Sequence, residues 1–168
     1  MVRKIPNKAN QSQFERGRTP MDAALGFLSA RARTVREVER YLDDQQFGEF
    51  EVQNTVDRLQ ELGYLNDSAY AADFIRTRIA TKPVSRTKLQ EQMMLHELPR
   101  NIVEEALCYV DDTMEKDHAM QIGRKYFRQM SDMDEDERER RVIQRLMGRG
   151  FSYDVSKTAL NAIQDEDN

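Results

Sequence analysis

Cysteine is nearly missing from this chain: among its 168 residues only Cys108 carries a thiol. One thiol cannot form an intrachain disulfide. In Ala106-Leu107-Cys108-Tyr109 it reads as a small core residue rather than a nucleophile. Glycine and proline are scarce as well, at seven and four, which leaves few obligatory breaks in a chain rich in good helix formers. No apolar run approaches the roughly 20 residues of a membrane span. The basic N-terminus is not followed by an apolar stretch of the secretory kind, so a cytoplasmic location is expected. There is no Gly-rich phosphate loop and no Ser/His/Asp order, so no catalytic residue and no cofactor are expected. His96 and His118 lie far apart without Cys or His at ligand spacing, which excludes a structural zinc site. The acidic run Asp132-Met133-Asp134-Glu135-Asp136-Glu137 lacks the glycine of a calcium loop and reads as a solvated helix start.

Charge is what the chain has in quantity, at 33% of residues, for a net charge of −4. It is unevenly spread. Residues 1–18 lack apolar periodicity and carry Arg3, Lys4, Lys8, Arg16 and Arg18, which predicts a flexible basic arm. A second basic stretch holds Arg76, Arg78, Lys82, Arg86, Lys88 and Arg100. Acid accumulates between residues 102 and 137 and in residues 165–168, read as an acidic tail. A basic patch facing a polyanion is compatible with an acidic total.

Helix signals follow one another closely. Thr19-Pro20 offers an N-cap with proline in the first turn, followed by a face of Ala24, Leu25, Leu28 and Ala32. Thr34-Val35-Arg36-Glu37 has the spacing of a capping box and opens a helix through Val38, Tyr41 and Leu42. A turn at Gly48 precedes a helix through Val52, Val56, Leu59 and Leu62, stopped by Gly63. A fourth helix through Ala71, Phe74, Ile75 and Ile79 is broken at Lys82-Pro83. Ser85 caps a fifth through Leu89 and Met93, and Pro99 starts a sixth through Ile102, Ala106 and Val110. The seventh runs through Ala119, Ile122, Tyr126 and Met130, and the eighth from Asp134 to Arg149. Ser152 caps the ninth through Val155, Ala159 and Ile163.

These helices form a repeat with a period of about 50 residues. Val38/Leu42, Leu89/Met93 and Val142/Leu146 correspond, as do Val56, Ala106 and Ala159. The expected fold is all-α: an elongated, curved array of three tandem three-helix repeats over residues 19–66, 67–112 and 113–164.

Gly63-Tyr64-Leu65-Asn66-Asp67, with Phe74 and Arg78 beyond it, resembles the most recognisable segment of the RecX family. Ala24-Leu25, Leu28, Arg31 and Arg36-Glu37-Val38 resemble that family's first repeat. Ile143-Gln144-Arg145-Leu146 and Arg149-Gly150-Phe151 resemble its third. Two places depart from the pattern, where relatives often have glycine and this chain has Lys82-Pro83 and His96. The resemblance implies a non-enzymatic regulator that lies in the groove of the RecA–DNA filament. It would lower RecA ATP hydrolysis, strand exchange and coprotease activity, modulating recombination, DNA repair and the SOS response. It implies a monomer whose partner is the RecA filament, with DNA met weakly or through that filament.

The candidate contact residues for such a filament are Arg31, Arg33 and Arg36 in the first repeat. Arg76, Arg78, Arg86 and Lys88 are those of the second, and Arg124, Lys125, Arg128, Arg145 and Arg149 those of the third. Each could instead pair with a nearby carboxylate. The rival reading is a winged-helix or helix-turn-helix transcription regulator, with the helix before Gly63 in the major groove. Glu49, Glu51, Asp57 and Glu61 on that helix would be repelled by phosphates, and a helix cap rather than a strand pair follows.

Overall fold

A computed structural model describes residues 19–167. The expected basic arm, residues 1–18, lies outside them. Nine helices and no strand are present among the described residues. They are α1 (Pro20–Leu28), α2 (Val35–Asp44), α3 (Glu49–Glu61), α4 (Asp67–Thr81) and α5 (Arg86–Leu95). Then come α6 (Arg100–Leu107), α7 (Asp112–Gln129), α8 (Glu135–Met147) and α9 (Tyr153–Asp167).

The helix starts obey local chemistry. Thr34 Oγ1 accepts from the Glu37 amide at 3.2 Å while Glu37 Oε2 accepts from the Thr34 amide at 3.2 Å, so two orphan donors are satisfied reciprocally. Ser85 Oγ accepts from the Lys88 amide at 3.1 Å and Ser152 Oγ from the Val155 amide at 3.2 Å.

Each helix triplet closes its own apolar core. The first gathers Ala23, Ala24, Val38, Leu42, Val52, Val56, Leu59 and Leu65. The second is built on Leu89, Met93, Leu98, Val103 and Leu107, the third on Val142, Leu146, Phe151, Leu160 and Ile163. The six repeat positions Val38, Leu42, Leu89, Met93, Val142 and Leu146 are all 0% exposed, so the periodicity reports equivalent core sites. The repeat extends to the backbone. Four residues after Leu42, Met93 and Leu146, the chain takes positive φ at Gln46 (64°), Glu97 (56°) and Gly150 (93°). The next residue, Phe47, Leu98 or Phe151, turns back into its own core. The missing family glycine near His96 is thus met by Glu97 adopting the left-handed conformation itself, at a cost of about 1–2 kcal/mol.

Two compact units divide at Asn66 and Asp67, so the first repeat forms one unit and the second and third together form the other. Within the latter the junction is polar. The Ser85 amide donates to the Arg149 carbonyl at 3.2 Å, and the Arg86 amide donates to Glu115 Oε1 at 3.1 Å.

Several sequence expectations need correction. The helix α1 ends at Leu28, so Ala32 falls outside it and is exposed; Leu25 is 38% exposed, and Ala23 takes the inward place. Ser29 Oγ bonds the Gly26 carbonyl at 2.8 Å, the kind of local side-chain bond that competes with further helix. Cys108 is exposed: Val103 and Leu107 form the inward face of α6 and Val110 beyond its end also turns inward, which leaves residue 108 outside. Ile102 is only half buried, and Val103 fills the core beside it. The helix α8 ends at Met147, so Arg149 belongs to the following turn. The expected acidic tail is not a separate segment as far as Asp167, since α9 runs through it.

Candidate partner-binding surface

The basic side chains divide into those with a local carboxylate, those used by the fold, and those left over. Arg31 sits 3.9 Å from Glu37 and Arg36 pairs with Glu39 at 3.0 Å. Arg76 pairs with Asp73, and Lys88 with Glu91 at 2.6 Å. The pairs of Arg36, Arg76 and Lys88 are one-turn surface contacts, worth little to stability, and the Arg31 contact with the buried Glu37 is looser still. Arg124 instead reaches across the third repeat, where Nε and Nη2 bond Glu166 at 2.9 and 2.5 Å.

Arg33 and Arg149 serve the fold. The Arg33 guanidinium lies 4.0 Å from the ring centre of Phe27, whose other neighbour Tyr41 stacks at 4.1 Å and 7°. This cation–ring contact fixes the turn between α1 and α2 and contributes about 0.5–1 kcal/mol. Arg149 ties the second repeat to the third. Its Nη1 donates to the Pro83 carbonyl at 3.0 Å, while Nε and Nη2 donate to the Tyr126 hydroxyl at 3.2 and 3.0 Å. The Lys82-Pro83 departure from the family pattern is therefore built into the junction: the amide-free proline presents its carbonyl to Arg149. Gly150 is held against the same turn. A Cβ there would stand 2.4 Å from Ser85 Oγ and 2.9 Å from Lys88 Cβ.

Four candidates remain exposed and have no ion pair among the described residues: Arg86 at the start of α5, Lys125 and Arg128 on α7, and Arg145 on α8. Arg145 on α8 is held 5.4 Å over the ring of Tyr126 on α7, and Arg149 from the turn after α8 stands 5.8 Å from it, so two guanidinium groups surround one aromatic side chain. Arg78 is half buried and its Nε has no hydrogen-bond partner. On α8, the hydrogen bond and charge of Arg141, helped by Arg140, hold the Glu137 carboxyl below its ordinary range.

Sequence reading missed two participants. Tyr126 read as a core mark of the seventh helix, yet its hydroxyl is the acceptor that fastens Arg149. Glu166 read as tail, yet it neutralises Arg124. The charge contrast between residues 118–130, which include Arg124, Lys125 and Arg128 but no acid, and the acidic C-terminus was the available signal. Among the described residues no cluster of three or more metal-ligating side chains forms, and no helix is long and apolar enough to cross a membrane. No strand pair follows α3, where the winged-helix alternative requires one; α4 begins at Asp67 instead.

Comparison with known proteins places these features. Residues 21–59, 66–107 and 114–160 match, in order, the family models described as the first, second and third three-helix domains of RecX. A relative from Prosthecochloris aestuarii named Regulatory protein RecX is 27% identical over 148 residues, covering 87% of this chain and 94% of its own length. One of the same name from Bacillus pumilus is 25% identical over 142 residues, and the chain spans only 54% of its length. The crystal structure of RecX from Lactobacillus salivarius superposes with a TM-score of 0.77 at 26% identity, over 86% of this chain and 94% of that one. With its three domains matched in sequence order and its fold matched over most of both chains, the protein belongs to the RecX family.

Proposed function

We propose that the chain is a non-enzymatic regulator of RecA that docks on the RecA–DNA filament through the basic surface of its second and third repeats. The observation that carries this reading is the set Arg86, Lys125, Arg128 and Arg145: exposed, and unpaired among the described residues in a chain that neutralises most other cations locally. Such groups attract a polyanionic assembly and raise the encounter rate without a deep pocket. Several modest contacts on the joined second and third repeats reinforce one another through high effective concentration. Arg31, Arg36, Arg76, Lys88 and Arg124 join only by exchanging a local carboxylate, so they contribute less. Arg33 and Arg149 act by keeping the repeats in shape, and Arg78 is the half-buried member of the group.

The test reverses Arg86, Lys125, Arg128 and Arg145 together to glutamate and measures inhibition of RecA ATP hydrolysis on single-stranded DNA. The side chains are exposed, so the helical fold survives, and the half-inhibitory concentration rises at least about tenfold. A folded quadruple variant that inhibits like the parent would overturn the assignment.

A further inference from the structure

We infer that the C-terminal end of α9 competes internally for the anion-binding arginines of α7, holding back the chain's affinity for a nucleic-acid phosphate backbone. This rests on the proposed role of the α7 basic surface.

Arg124 and Glu166 are 42 residues apart in sequence, yet they meet in a two-pronged geometry with bonds of 2.9 and 2.5 Å. A planar guanidinium fork accepts a carboxylate and a phosphate in the same way, so Glu166 stands where a phosphate would. Arg124, Phe127, Arg128, Ile163 and Glu166 line one surface recess. Arg128 has no acidic partner among the described residues, so the recess holds two arginines against one carboxylate. An arriving phosphate meets Arg128 first and can then displace Glu166 from Arg124.

The exchange is easy because the fold does not depend on the pair. The side chains of Arg124 and Glu166 are 39% and 50% exposed, where ion pairs contribute little to stability. Other contacts seat α9: Leu160 and Ile163 are buried at 0% and 2%, and Gln164 donates to Glu139 at 2.6 Å. Residue 123 is glycine, and a Cβ there would stand 2.7 Å from Ile163 Cδ1, so α9 lies against α7 at backbone distance. Removing the Glu166 charge therefore leaves the helix in place and uncovers Arg124.

The experiment measures binding of a fluorescent single-stranded oligonucleotide across a salt series to the full chain and to Glu166→Gln, Arg124→Gln and the double variant. Glu166→Gln should bind about threefold to tenfold more tightly at low salt. Its slope of log affinity against log salt should steepen by about 0.7, the value for one further phosphate contact on a single strand. Arg124→Gln should bind like the parent, and the double variant should lose the gain. Melting temperatures should be unchanged. Equal affinity of parent and Glu166→Gln, a gain that persists in the double variant, or no oligonucleotide binding by either form would overturn the inference. RecA inhibition by the same preparations separates the two readings. Inhibition with unchanged oligonucleotide affinity removes the internal competitor and keeps the regulator; a Glu166→Gln gain without any RecA inhibition does the reverse.

Discussion

Replacing Gly150 by alanine should loosen the junction between the second and third repeats far more than the same change at Gly63 disturbs the first. Both glycines have positive φ, 93° and 76°, so alanine at either meets the left-handed penalty of about 1–2 kcal/mol. The stiffer unfolded chain offsets about 0.4–1 kcal/mol of it, leaving a net cost of about 0.5–1 kcal/mol. At Gly63 nothing lies within 4 Å of the new Cβ, so no packing cost is added. At Gly150 the methyl group would stand 2.4 Å from Ser85 Oγ and 2.9 Å from Lys88 Cβ. Ser85 is fully buried and caps α5, so it has nowhere to retreat without losing its bond to the Lys88 amide. Overpacking of this kind costs about 1–3 kcal/mol, and a lost cap about 1 kcal/mol. The sum for Gly150→Ala is about 2.5–5 kcal/mol. Native-state hydrogen exchange resolves the two sites: protection should fall in α5 and α8 for Gly150→Ala and only slightly in α3 for Gly63→Ala. Equal, small losses at both sites would refute the packing of this turn against Ser85.

Arg149→Met should destabilise the second unit by about 2–3 kcal/mol in urea, because it leaves the Pro83 carbonyl and Tyr126 hydroxyl without their charged donor; Tyr126→Phe should cost about 1 kcal/mol, and a neutral result for both would contradict the polar junction. Gln46→Gly should stabilise the first unit by about 0.5–1 kcal/mol, since Gln46 is exposed at φ 64° and only the left-handed penalty is removed; a loss of stability would show that the side chain matters. Glu137 should protonate at lower pH than an ordinary glutamate when followed by NMR, and Arg141→Gln should bring it back. Because its folded value is the lowered one, its small contribution to stability is present above the unfolded value and disappears as pH falls through the folded one; titration unmoved by Arg141→Gln would refute the cause.

What could be read from the chain was whatever local spacing determines. The equivalence of Val38/Leu42, Leu89/Met93 and Val142/Leu146 is a helix-period pattern, and all six are core. Thr34, Ser85, Ser152 and Gly63 act through neighbours within a few residues, so cap and stop signals were legible. Partners distant in sequence were not. The Arg149 contact with Pro83 spans 66 residues and the Arg124 contact with Glu166 spans 42, and nothing in local periodicity chooses between such partners and solvent. That is why the twelve basic candidates looked alike in sequence and separate only in three dimensions. Cys108 was misplaced for a related reason: an apolar neighbourhood in sequence does not say which side of the last helical turn a residue occupies. The departures at Lys82-Pro83 and His96 left loop geometry open, and the chain resolves them with Arg149 on one and a left-handed Glu97 beside the other.

The most direct test of the regulatory reading is RecA ATP hydrolysis on single-stranded DNA, with this protein titrated from well below stoichiometric amounts. Progressive inhibition that weakens with salt is expected, with no effect on an unrelated ATPase. Unimpaired hydrolysis at excess protein and low salt, with RecA from the same source, would contradict it.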